Sequence, residues 1–272
     1  MTSKQQVDND GFVTVEKKFK YLSLSGNNNN NNKRTKNKKK GRYYFKDSDD
    51  YTLEDLESIL SKKRETLIES HFYKDLFDIL KEQLLSTKPK EMICYGIGSI
   101  QHSKNAQYQF ILALLIRDIL KDYVDKVSIY DPVMTELDKE LSKSHNIHVI
   151  DINEDGKRTV SKPTLFYMPH CGRGLYSNTL SVNWDKQSLP NVIMIANRFD
   201  MYVGSQLERD LRRECPYLIP AVELVEYTSF PKEFDDNKIF NDLSIITFPK
   251  DKVNATTDDF WNNVPIEQEE KS

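Results

Sequence analysis

Beyond Lys88-Pro89, short apolar runs alternate with longer amphipathic stretches, a rhythm that belongs to parallel βαβ units and leaves few other ways to bury the chain. Runs at about 92–95, 126–130, 147–151, 164–168, 191–196 and 243–248 predict strands. The intervals at about 103–122, 133–144, 174–182 and 203–213 predict helices, with another near 220–227. Helix 103–122 is apolar nearly all round over Phe110-Ile-Leu-Ala-Leu-Leu-Ile116, so it is expected to be sandwiched in the core. The expected fold class is therefore α/β: a Rossmann-like three-layer domain with a mostly parallel sheet.

Two helices should precede that sheet. Leu53, Leu56, Ile59 and Leu60 share one face, and Leu67, Phe72, Leu76, Ile79, Leu80 and Leu84 continue at threes and fours. Thr52 is a suitable N-cap, with Asp55 at the third helical position. Residues 1–46 read instead as a disordered polar tail, since Phe12-Val-Thr-Val15 is the main apolar feature before the Asn27–Asn32 run. The domain then runs over 47–250, with 47–88 as its helical lead-in, and 251–272 form a polar C-terminal tail. Phe260-Trp261 and Val264-Pro-Ile266 interrupt that polarity and are expected to pin the tail to the domain.

Charge is uneven. The chain carries 39 basic and 42 acidic residues, net −3. The window Lys33 to Lys46 holds eight Lys or Arg and no acid, leaving 31 basic against 42 acidic elsewhere, or −11. The block 33–42 fits a solvated linker, a nuclear-import signal or a weak polyanion contact. The three cysteines, Cys94, Cys171 and Cys215, are too widely spaced for a metal knuckle, and no metal site is expected. Phe110 to Ile116 is far too short to span a bilayer, and the start Met-Thr-Ser-Lys is too polar for a secretory signal. A soluble protein of the cytoplasm or nucleus, with no membrane partner, is expected.

In an open parallel sheet, ligands gather outside the carboxyl ends of the strands. The first strand ends in Tyr95-Gly-Ile-Gly-Ser99, where Gly96 and Gly98 permit a tight turn and close backbone approach by a ligand that Ser99 would also meet. A dinucleotide fingerprint would need glycine where Gln101 stands, and no P-loop sequence occurs. The second strand ends in Asp131-Pro132. Asp131 suits either a ribose diol, which implies S-adenosylmethionine or an adenine nucleotide, or the capping of a turn. The fourth strand breaks at Pro169-His170-Cys171-Gly172, placing an imidazole and a thiol at the same edge. His170 and Cys171 are the catalytic candidates, although neighbours in extended chain point opposite ways and a packed thiol is the simpler account. Asn197 closes the fifth strand with an amide able to bond a base or the turn itself. Gly96, Gly98, Ser99, Asp131 and Asn197 are thus the ligand-binding candidates.

Several segments together resemble the SRR-like family, named for reduced sensitivity to red light. They are Ile97-Gly-Ser99, Gln107 and Leu112 of the following helix, Asp131-Pro-Val133, Leu165-Phe-Tyr-Met-Pro-His-Cys171, Leu175-Tyr-Ser-Asn178, Asn183-Trp184, and Asn197 with Phe199. The likeness covers about residues 90–202, and Met-Pro-His-Cys, Leu-Tyr and Asn-Trp are its most specific parts. It implies a regulatory role: plant members act in light input to the circadian clock, and animal and fungal members are linked to clock-gene expression, haem biosynthesis or cytoskeletal stability. Protein partners are implied, and no agreed catalytic residues carry over. The alternative is a methyltransferase-like enzyme using S-adenosylmethionine or a nucleotide in the crevice.

Overall fold

The computed structural model describes residues 47–234 and 239–264. The Phe12–Val15 alternation, the Asn run, the basic block 33–42 and the end of the C-terminal segment, including Ile266, lie outside the described residues.

The chain enters through two helices, α1 (Leu53–Glu69) and α2 (His71–Thr87). Thr52 and Asp55 form the expected reciprocal capping box on α1. Then follow β1 (Glu91–Tyr95), α3 (Lys104–Ile119), β2 (Lys126–Tyr130), α4 (Glu136–Ser144), β3 (His148–Val149) and β4 (Thr164–Tyr167). The second half comprises α5 (Arg173–Ser181), β5 (Val192–Asn197), α6 (Phe199–Ser205), α7 (Glu208–Glu214), α8 (Leu218–Leu224), β6 (Glu226–Ser229) and β7 (Leu243–Thr247). Two short helices, α9 (Lys250–Asn254) and α10 (Asp258–Asn262), follow.

The strands form one sheet in the order β3-β2-β1-β4-β5-β7-β6. The first five are parallel; β7 runs antiparallel between β5 and β6. This is a Rossmann-like domain. Its strand order reverses between β1 and β4, which makes the crevice above those two strands the topological switch point.

Side-chain alternation divides the interior into two cores. Met92, Cys94, Leu165, Tyr167, Ile193, Ile195 and Ile245 face one side with the apolar stripes of α1 to α4. Ile93, Tyr95, Phe166, Met168, Met194 and Ile246 face the other, where α5, α7 and α8 cover them. Every residue of α3 from Ala106 to Ile116 is buried. The lead-in helices explain this, because α1 and α2 make close contacts with α3. Each large apolar side chain buried there contributes about 1.5–3 kcal/mol.

The structure corrects the sequence reading in two places. The segment expected to be helical near 220–227 is helix only to Leu224, and Glu226-Tyr-Thr-Ser229 is an edge strand. Its β character comes from pairing with the distant Leu243–Thr247, which no local pattern announces. The helix expected at 203–213 is two, α6 and α7, parted by extended backbone at Gln206 and Leu207. Phe260 and Trp261 pack on Trp184, with ring centroids 5.9 and 5.3 Å apart, so this apolar pair does hold the C-terminal segment to the domain.

Candidate functional site at the carboxyl edge of the sheet

The turn after β1 takes left-handed backbone at both glycines, with φ of 69° at Gly96 and 84° at Gly98, a conformation that only glycine adopts freely. Two carboxylates from the β2–α4 region hold this turn. Asp131, half-buried at the end of β2, accepts the Gly98 N–H at 2.8 Å on one oxygen and the Val133 N–H at 2.9 Å on the other. Asp138, fully buried in the first turn of α4, accepts the Gln101 N–H at 2.7 Å and the Thr135 N–H at 2.9 Å. Thr135 and Asp138 form the capping box of α4, so Asp131 closes the preceding turn and not the helix. Ser103 caps α3, its hydroxyl accepting the Ala106 N–H. Ser99 lies inside the turn, 8% exposed, and its hydroxyl oxygen has no partner among the described residues.

These bonds decide what the turn offers a ligand. In dinucleotide folds the N–H groups of such a loop face a phosphate. Here an anion at Gly98 or Gln101 would have to displace a carboxylate of the chain itself. A ribose diol would share Asp131 with two backbone donors, using the second lone pair of each oxygen.

Cys171 fills the switch point from the β4 side. Its thiol donates to the Tyr95 carbonyl at 3.4 Å and sits so close to Gly96 that a Cβ there would force the sulfur to move. Burial pushes the thiol pKa well above its ordinary value, so the sulfur stays protonated and poorly nucleophilic at neutral pH. His170 is exposed and turns away into left-handed backbone, with φ of 54°. Its N–H donates to Asn197 Oδ1 at 3.2 Å, and its Nε2 lies 3.0 Å from the Ile239 carbonyl, which fixes the proton on that nitrogen. The imidazole and the thiol therefore do not form a couple. Asn197 also meets the hydroxyl of fully buried Tyr176 at 3.2 Å, and that hydroxyl donates to the Met168 carbonyl at 3.0 Å.

The remaining motif residues brace the β3–β4 connection that leaves this edge. Asn183, fully buried, accepts the Val160 N–H and donates to the carbonyls of Arg158 and Thr179, each at 2.8 Å. Asn178 donates to the Asp155 carbonyl. Tyr95 donates to Glu154, which pairs in turn with Arg158. The long β3–β4 connection is thereby tied down on α5 and β1. Among the described residues, no group of three or more His, Cys, Asp or Glu has the arrangement of a metal site.

One feature of this edge escaped the sequence reading. A cavity of about 620 Å³ opens beyond β5, lined by Phe72 of α2, Arg198, Asp200, Met201, Ser229 and residues 231–234 and 240–244. Arg198 stands on its wall, held by Asp200 at 3.0 and 2.6 Å and lying 4.7 Å from the Tyr227 ring centroid. Arg198 after a strand end was the available signal, but the other walls come from the unrecognised β6–β7 pair.

Residues 57–247 match the SRR1 domain family. The chain is 30% identical over 178 residues to Protein SENSITIVITY TO RED LIGHT REDUCED 1 of Arabidopsis thaliana, covering 61% of this chain and 64% of that protein. It is 28% identical to an SRR1-like protein of Drosophila melanogaster, covering 80% and 78% of the two chains, and 33% identical to one of Mus musculus, covering 51% and 56%. Among solved structures, the 23S rRNA methyltransferase ErmE is 16% identical over 62% of this chain and 65% of its own, with a TM-score of 0.34. The SAH-bound Podospora anserina methyltransferase PaMTH1 is 12% identical over 70% and 87%, with a TM-score of 0.39. At such scores these two carry no argument about activity. The family match spans well over half of the sequence and includes every segment that carried the resemblance, and the chain belongs to the SRR1 domain family.

Proposed function

We propose that this protein is a regulator in the light-input pathway of a circadian clock, acting by engaging a protein partner and not by turning over a substrate. The observation that carries this reading is the family match over residues 57–247, together with the similarity to the Arabidopsis protein named for its red-light phenotype. The geometry of the edge supports it: Asp131, Cys171, Asn183 and Asn197, all in segments that carry the resemblance, spend their polar atoms on bracing the domain. The methyltransferase-like alternative draws less support, because the N–H groups of Gly98 and Gln101 are already matched by carboxylates. The reading includes residence in the cytoplasm or nucleus, with residues 33–42 as a solvated or weakly polyanion-binding linker.

The test is disruption of the gene in its own organism, with transcript rhythms followed under red-light entrainment and then in constant conditions. Altered phase or amplitude is expected, while the purified chain shows no retention of S-adenosylmethionine in equilibrium dialysis. Unchanged rhythms and light responses would sink the proposal.

A further inference from the structure

The sheet ends on β6, which stands last in the strand order with β7 on one side of it. The Phe230 N–H donates to the Leu243 carbonyl at 3.0 Å. In an antiparallel ladder bonded pairs recur at every second residue, so Glu226 and Thr228 also turn their backbone groups toward β7. Tyr227 and Ser229 therefore direct their N–H and C=O groups away from the sheet, where no described residue meets them. A row of outward donors and acceptors at this spacing is what another strand recognises.

Edges of native sheets are usually blunted by lysine, proline, a bulge or extreme shortness. The opposite edge of this sheet is cut to two residues, His148 and Val149. On β6, Glu-Tyr-Thr-Ser runs in unbroken register against β7 with neither lysine nor proline. The strand is also fixed before it pairs. Arg198 lies 4.7 Å from the Tyr227 ring centroid, and Phe199 packs edge-on against that ring at 6.4 Å. Lys252 bonds the Val225 carbonyl at 3.1 Å and pairs with Glu226 at 3.3 Å, which takes up the charge of the strand's one ionised side chain. Little ordering is then left for association to supply.

The strand is complementary to a second copy of itself. With two antiparallel copies centred on a two-fold axis at Thr228, Tyr227 of each faces Ser229 of the other as a bonded pair, and Thr228 faces Thr228 in the closer, non-bonded pairing. Threonines opposite one another stabilise such a pair, and the two Glu226 carboxylates stay at opposite ends of the ladder. A shift of one residue would set outward-facing groups against inward-facing ones. We propose that this chain forms a two-fold dimer in which β6 pairs antiparallel with β6 of a second copy, making one continuous sheet. The dimer does not rest on the clock reading.

Sedimentation equilibrium of the full chain from about 1 to 100 µM tests it, and a reversible dimer is expected. Ser229→Pro removes an outward N–H and no bond to β7, and Thr228→Lys brings two cations together at the axis. Each should weaken the dimer about tenfold or more while the far-UV circular dichroism stays that of the wild type. Cross-linking reads the register. The native cysteines are all buried, and Thr228→Cys sets two new thiols on Cα atoms about 4.5 Å apart, within disulfide reach. Mild oxidation should link Thr228→Cys copies and leave Glu226→Cys copies unlinked. A chain that stays monomeric at the highest concentration overturns the proposal. So does a dimer that both edge variants leave intact, or cross-linking no better through Thr228→Cys than through Glu226→Cys.

Discussion

The sulfur of Cys171 occupies the space that a side chain at Gly96 would need, directly at the point where the strand order reverses. The glycine there makes room for the protein's own thiol. Gly96→Ala should cost about 1–2 kcal/mol for left-handed backbone, plus about 1–3 kcal/mol for overpacking. Urea denaturation of Gly96→Ala, Cys171→Ala and the double variant checks this. The double variant should recover the packing part and keep the backbone part, whereas strictly additive losses would show that the two positions do not compete for space.

Asp131 bridges two segments, so its loss should be read in stability. Asp131→Asn replaces one acceptor oxygen by an amide that cannot receive an N–H, leaving the Gly98 or Val133 donor unmatched. A loss of about 1–3 kcal/mol in urea is expected. If instead Asp131→Asn left stability intact and abolished retention of an adenosine ligand, the crevice would be a ligand site after all.

Asn183 makes three bonds from one fully buried amide. Asn183→Ala should therefore cost about 2–4 kcal/mol and loosen the β3–β4 connection specifically. Hydrogen exchange at the Val160 amide reads that loosening; protection equal to wild type would refute the bracing role.

The domain should weaken at alkaline pH. Burial raises the pKa of Cys94 and Cys171 above the ordinary 9.0, and that of Tyr95 above 10.0, where its bond to Glu154 adds to the effect. Burial and Asp200 push Tyr227 up to about 12. In the unfolded chain these groups lose protons near their ordinary values while the native state still holds them, so the native state binds more protons through that range. Stability should be unaffected by these groups below about pH 8 and fall as pH rises from about 9 towards 12. Urea midpoints from pH 8 to 10.5 provide the check, and a flat series would contradict the assignment.

Much of this architecture was legible because buried parallel strands must be short and apolar. Met92 to Tyr95, Thr164 to Tyr167 and Val192 to Ala196 announce themselves by composition alone. Glu226–Ser229 does not: it is a polar edge strand whose partner follows a long connection. The site was legible as a place and not as a set of contacts. Asp131 at a strand end allowed either a ribose or a turn, and only the position of the Gly98 N–H shows which backbone groups it holds. The cavity announced itself only through Arg198 after a strand end, because its other walls, Phe72 and residues 240–244 among them, come from segments far apart in the chain.

Asp131 and Asp138 have a consequence for how the protein exists in the cell. A phosphate-loop protein is often completed by its nucleotide, and its rigidity then follows the supply of that metabolite. This chain carries the counter-charge for its own glycine turn, one carboxylate for Gly98 and one for Gln101. The turn is set when the polypeptide folds, with no anion having to bind at Gly98 or Gln101 to complete it.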